Sequence, residues 1–290
     1  MIGATSTRRW LWLWPLLVCL AAQGISARQG HGWKRYVSSL NNSAEEEDGI
    51  GDVVAPRNLS PWQVSIQNAK RRHKCSGAIL AKDWVVTTAN CMRGFKVKGS
   101  RMVVGTQILG TSNKHSYKIE YVIAHPHFDK PKKANDIALI YTHTSIKFSW
   151  KIKAIPVLGA PLPRDTLVLH TGWSWRKGVD ANKMRTVYHR VIPYKICLSY
   201  FNQRVRNPIA PGHLCLNLPK DSDYCLRESG GLLVHKNKLA GLSSFGATCA
   251  NGDPFVGTRI SFYFDFIRTT MEGCSRCTPE YSFEARFFDL

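Results

Sequence analysis

From Trp62 onward the chain breaks into short runs rich in β-branched and aromatic residues: Trp62 to Ile66, Ala78 to Leu80, Trp84 to Thr88, Met102 to Val104, Ile119 to Ala124 and Ile137 to Tyr141. Gly, Pro, Asn and basic residues punctuate them. Runs this short, closed by turn-forming residues, suit antiparallel pairing and predict an all-β sandwich or barrel. One pattern departs from this. Phe262, Phe266, Ile267 and Met271 recur at helical spacing, with Gly273 as a stop, and predict a C-terminal helix.

The N-terminus has a different character. Arg8 and Arg9 precede an apolar run from Trp10 to Ala22, and small residues follow at Gly24, Ser26 and Ala27. That order reads as a signal peptide over residues 1–27 and predicts secretion. The run is shorter than the roughly 20 apolar residues a membrane-spanning helix needs. Residues 28–48 form a polar, pro-like segment ending in the acidic run Glu45 to Asp48, with too little apolar content to build a core. Asn41 and Asn58 each begin an N-glycosylation motif, the second followed directly by Pro61. The main domain is expected over 49–271, with a tail over 272–290.

Cleavage after residue 27 removes Cys19 and leaves eight cysteines, an even number that suits disulfides in an oxidising compartment. Cys274 and Cys277 form a C-x-x-C pair without a second pair or a histidine cluster nearby. A local or intermolecular disulfide fits them better than zinc. No metal and no cofactor is expected.

The formal charge is +20, of which the signal peptide carries only Arg8 and Arg9. Basic clusters lie at Lys70, Arg71, Arg72 and Lys74, at Lys130, Lys132 and Lys133, and at Arg204 and Arg206. In a secreted chain they read either as a solvated surface or as contacts for heparin-like polyanions, anionic membranes or an acidic protein partner. No nucleic-acid partner is expected.

Several segments, in order, resemble the trypsin-like serine proteases over roughly residues 49–271. Pro61 to Ser65 is similar to that family's first strand, and Cys75 to Leu80 followed by Trp84 to Cys91 to the segment ending in the catalytic histidine beside a cysteine. Asn90 stands in the histidine's place. His125-Pro126 and Asn135 to Ile140 resemble the segment of the triad aspartate, which falls on Asp136, and Cys225 to Gly231 the nucleophile loop, with Ser229 as the nucleophile. Gly241 to Gly246 resembles the strand that pairs with substrate. The resemblance implies two packed six-stranded antiparallel β-barrels with a cleft between them and a C-terminal helix. It also implies the disulfides Cys75–Cys91, Cys197–Cys215 and Cys225–Cys249.

The same resemblance implies that catalysis is lost. In a Ser-His-Asp triad the histidine takes the serine proton and returns it to the leaving group, while the aspartate fixes the imidazole. A carboxamide such as that of Asn90 has no basicity near neutral pH. Loss of the base in such a unit lowers kcat on the order of a millionfold in another protease of this mechanism. His73, His125, His127, His189 and His235 are the candidate replacement bases, and none lies in a motif that places it there.

Two further departures point the same way. The activation junction reads Glu47-Asp48-Gly49-Ile50, without a basic residue for cleavage, and Glu228 replaces the aspartate that pairs with the new N-terminus. Arg227 replaces a glycine whose N–H donates to the oxyanion, so Arg227 and Glu228 put the oxyanion hole in doubt. In the substrate pocket, implied to involve Asp223, Tyr224, Ser244, Phe245, Gly246 and Phe255, Phe255 replaces a glycine and is expected to fill the space. Asp223 is either a relic of basic-residue specificity or a carboxylate paired locally. The sequence therefore predicts an inactive, secreted homolog that binds a secreted or cell-surface protein partner or a polyanion. The alternative is a serine endopeptidase with residual or unusual activity using Ser229.

Overall fold

The computed structural model describes residues 53–55, 59–110, 115–173, 180–204, 209–217, 229–246 and 254–273. Among these, thirteen strands run β1 Val53–Val54, β2 Gln63–Gln67, β3 His73–Ile79, β4 Trp84–Thr87, β5 Arg101–Val104, β6 Ser116–Ala124, β7 Ala138–Thr142, β8 Leu167–Gly172, β9 Arg185–Arg190, β10 His213–Leu216, β11 Leu232–His235, β12 Lys238–Gly246 and β13 Phe255–Arg259. The helices are α1 Ala89–Met92, α2 Tyr194–Arg204 and α3 Phe264–Gly273, the last entered through a 3₁₀ turn at Ile260–Tyr263. None of the described helices is long and apolar enough to cross a membrane.

The first six strands after β1 close into a barrel in the order β2-β3-β4-β7-β6-β5. Closure leaves no unpaired edge, which explains how strands this short hold together. Val64, Ile66, Val85, Met102, Val104 and Ile140 fill its interior. The Cys75–Cys91 disulfide ties β3 to α1 at one rim.

The second unit orders β9-β8-β11-β12-β13-β10, with β1 added outside β9. Its two ends meet through a bridge between Val191 and Leu216, where the Ile192 N–H donates to the Cys215 carbonyl at 3.0 Å. Val168, Val187, Leu214, Leu216, Leu233 and Phe255 form its core. A separate layer, with Trp84, Val86 and Leu139 from the first barrel and Leu232, Leu242 and Ile267 from the second unit and α3, joins the two. The all-β, two-barrel architecture with a C-terminal helix is thus the one the sequence predicts.

Two local differences have physical causes. Helix α2 follows Pro193, whose carbonyl accepts from the N–H groups of Ile196 and Cys197. It buries Cys197, Tyr200 and Phe201 against Ile192, Ile209 and Val256, and the Cys197–Cys215 disulfide fixes it to β10. Phe262 lies in the 3₁₀ turn ahead of α3 and is 51% exposed, so it is not part of the helix's buried face.

Candidate active-site cleft

Asp136 sits just before β7, where the two units meet, and is 1% exposed. The loop holding it is pinned from the other unit: Thr258 Oγ1 donates to the Asp136 carbonyl at 2.7 Å, and the Tyr263 hydroxyl donates to Asn135 Oδ1 at 3.2 Å. One carboxylate oxygen accepts from the backbone N–H of Asn90 at 2.6 Å, and the other from the Ser244 hydroxyl. Burial pushes the carboxyl above its ordinary range, against the opposing effects of the Ser244 hydroxyl, the Asn90 N–H, the Lys133 charge and the Ala89 N–H.

Ser244 reaches Asp136 because β12 is irregular there. Ser243 pairs with Gly257 and Phe245 with Val256, which leaves Ser244 as the extra residue of a bulge. A bulge re-aims one side chain relative to its neighbours.

Asn90 lies in the short helix α1, whose N-cap is Thr88. Its backbone, rather than its side chain, supplies the bond to Asp136. The position implied for a catalytic imidazole is therefore occupied by a carboxamide whose main chain is held by Asp136.

Ser229 follows from an equally specific backbone. Gly230 has φ +83°, and a Cβ there would run into the Ser76 carbonyl, so only glycine fits. The Ser76 N–H donates to the Ser229 carbonyl at 3.1 Å, and the Gly230 and Gly231 N–H groups donate to the Ser243 carbonyl and hydroxyl, each at 2.8 Å. These bonds bring the half-buried Ser229 from the second unit to the rim of the first. There its hydroxyl oxygen lies 2.6 Å from that of Thr88. Thr88 was not singled out from the sequence; its only signal is its N-cap position two residues before Asn90.

The candidate replacement bases are engaged elsewhere. His73 Nδ1 shares a hydrogen bond with the Ser65 hydroxyl at 2.8 Å, and His235 Nδ1 bonds the Leu167 carbonyl at 2.8 Å. His125 packs against Tyr263 and Phe266, and against His127. His189 bonds the Asn217 carbonyl at 2.9 Å inside the second unit.

Phe255 is fully buried. Its ring centroid lies 4.6 Å from that of His189 and 5.8 Å from that of His170, and it belongs to the interior of the second unit. Phe245 is half-buried, 5.2 Å from the His213 ring, with Lys133 Nζ 5.8 Å over its face. Gly246 ends β12 opposite Phe255. The structure thus brings Asn90, Asp136, Ser229 and Ser244 together, and places Phe255 in the core beneath. Asp223, Tyr224, Arg227, Glu228, Cys225 and Cys249 lie outside the described residues, as do Asn41, Asn58, Cys274, Cys277 and the activation junction.

Two β-barrel units with a serine from one and a buried aspartate from the other at their junction define the chymotrypsin-like fold. A family model described as Trypsin matches residues 50–267. A vitellin-degrading protease of Bombyx mori is 32% identical over 256 residues, covering 85% of this chain and 90% of that protein. A trypsin of Simulium vittatum is 29% identical over 217 residues, covering 70% and 85%. Mouse neuropsin, a serine protease of known structure, shares the fold with a TM-score of 0.67 at 22% identity, covering 76% of this chain and 98% of its own. The chain belongs to the trypsin family.

Proposed function

We propose that this chain is a secreted member of the trypsin family that no longer hydrolyses peptide bonds and acts by binding a protein partner or a polyanion. The observation that carries the reading is the replacement of the base. Asn90 stands at the position that the resemblance gives to the histidine, and it meets Asp136 through its backbone N–H rather than through its side chain. A serine hydroxyl whose neighbour is the Thr88 hydroxyl has nowhere to send its proton during attack, since neither an alcohol nor an amide is a base near neutral pH. Arg227 and Glu228, in place of the glycine and aspartate implied for the oxyanion loop, add a second obstacle.

Secretion is supported by the N-terminal sequence and by two disulfides in the described domain. The basic residues at the β2–β3 turn, Lys70, Arg71 and Arg72, are all exposed and suit an anionic partner.

A second reading, a serine endopeptidase of residual or unusual activity, rests on the retained Ser229 and Asp136 and on relatives named as proteases. One experiment separates them: intact-mass analysis after exposure to a fluorophosphonate, with Ser229→Ala as control. The first reading predicts no adduct on the natural protein. An adduct that Ser229→Ala abolishes would establish the second.

A further inference from the structure

After β7 the chain reads Lys147-Phe148-Ser149-Trp150-Lys151-Ile152-Lys153. Ser149 and Ile152 bond each other through both N–H groups, at 2.9 and 3.2 Å, which makes a tight turn with Trp150 and Lys151 at its apex. Its base is rigid. Ile146 and Ile152 are 1% and 0% exposed within the core of the first barrel, and the Lys153 N–H donates to the Pro61 carbonyl at 3.0 Å.

Between these anchors the side chains face water. Trp150 is 65% exposed and Phe148 43%. Lys147, Lys151 and Lys153 are exposed as well, and Lys151 Nζ lies 4.5 Å from the Trp150 ring centroid. No carboxylate occurs in the sequence between Asp136 and Asp165. The acids nearest in the hydrogen-bond pattern are already engaged: Asp83 accepts from the Ser145 hydroxyl at 2.5 Å, and Glu120 pairs with His143 at 2.5 Å.

We propose that this turn is an anchor for an anionic lipid surface. Tryptophan concentrates at the headgroup level of a bilayer, and tryptophan and phenylalanine beside lysines form the apolar face that peripheral anchors bury at the boundary of headgroups and acyl chains. Lysines beside them gain from the negative surface potential, roughly fivefold in partition for each. A turn fixed by buried isoleucines presents both groups together without having to order on binding. A sulfated glycan would be met by the lysines alone, since it offers nothing to bury the two rings in. The proposal specifies the polyanion part of the reading above and does not depend on whether Ser229 is reactive.

Co-sedimentation of the full mature chain with phosphatidylcholine vesicles, with and without phosphatidylserine, tests it. Heparin-column elution and melting temperature serve as parallel readouts. The natural protein should bind only the phosphatidylserine vesicles. Phe148→Ser combined with Trp150→Ser should weaken that binding by roughly tenfold or more, with heparin elution and melting temperature unchanged. Lys147→Gln, Lys151→Gln and Lys153→Gln together should weaken it by about a hundredfold. Absence of vesicle binding by the natural protein, or binding that ignores the loss of both rings, overturns the proposal, and heparin retention alone would assign the lysines to a glycan instead. A fluorophosphonate adduct on Ser229 would refute the loss of catalysis and leave this proposal standing.

Discussion

The hydroxyl oxygens of Thr88 and Ser229, 141 residues apart in sequence, lie 2.6 Å from each other across the junction of the two units. Thr88 also accepts from the Cys91 N–H at 3.3 Å as the N-cap of α1. One side chain therefore closes the helix that carries Asn90 and holds the Ser229 hydroxyl. Thr88→Ala should lower stability by about 1–2 kcal/mol, from the lost cap and hydrogen bond, and Thr88→Ser should recover most of it. Urea denaturation of the three proteins measures this.

Restoring the histidine alone should not restore hydrolysis. In Asn90→His the imidazole must compete with Thr88 for the Ser229 proton, and the oxyanion loop still carries Arg227 and Glu228. Peptidase assays should find Asn90→His no faster than Ser229→Ala. Robust turnover by Asn90→His would mean that the base was the sole part lost.

Acid should destabilise the fold through the second unit. Burial pushes His189 down to about 3, and burial together with the neighbouring His189 holds His170 well below its usual 6.5. The unfolded chain binds protons at these sites that the native state refuses. Their contribution is thus fully present above pH 6.5 and is lost as pH falls below it, for His189 down to about 3 at about 1.4 kcal/mol per pH unit, with His170 adding in the same direction. Asp136, raised by burial, acts with the opposite sign: its contribution is largest near the bottom of that range and shrinks as pH rises past the ordinary carboxylate value. Denaturant midpoints should drop between pH 7 and 5, and His189→Leu should flatten the drop. A midpoint independent of pH in the natural protein would contradict the burial of these rings.

Phe255 is a core residue, packed on His170 and His189. Phe255→Gly should destabilise by about 3–5 kcal/mol, the range for emptying a buried aromatic position. Thermal unfolding measures it, and a loss below 1 kcal/mol would mean that the ring stands in an open pocket.

The strand ladder was legible because period and punctuation are local properties: four of the six runs match strands within one residue at either end, while the run from Ile119 starts three residues after β6 begins at Ser116. Ala78 to Leu80 was read too short, since β3 begins at His73, where polar residues pair with β2. Helix α2 was not read, although Cys197, Tyr200 and Phe201 share the i, i+3, i+4 spacing of a buried face. Its other positions are too mixed to show an apolar stripe. Asn90, Asp136 and Ser229 were legible through segment order. Thr88 was not, because its contact with Ser229 depends on how two units dock, and Ser244 reaches Asp136 only through a bulge that no local pattern announces.

The most direct test of the account is the rate of peptide hydrolysis by the purified mature protein, beside Ser229→Ala, over a panel of chromogenic substrates at neutral to alkaline pH. The account predicts that the two proteins are indistinguishable on every substrate. Turnover by the natural protein that disappears with Ser229→Ala would contradict it and require a base that Asn90 does not provide.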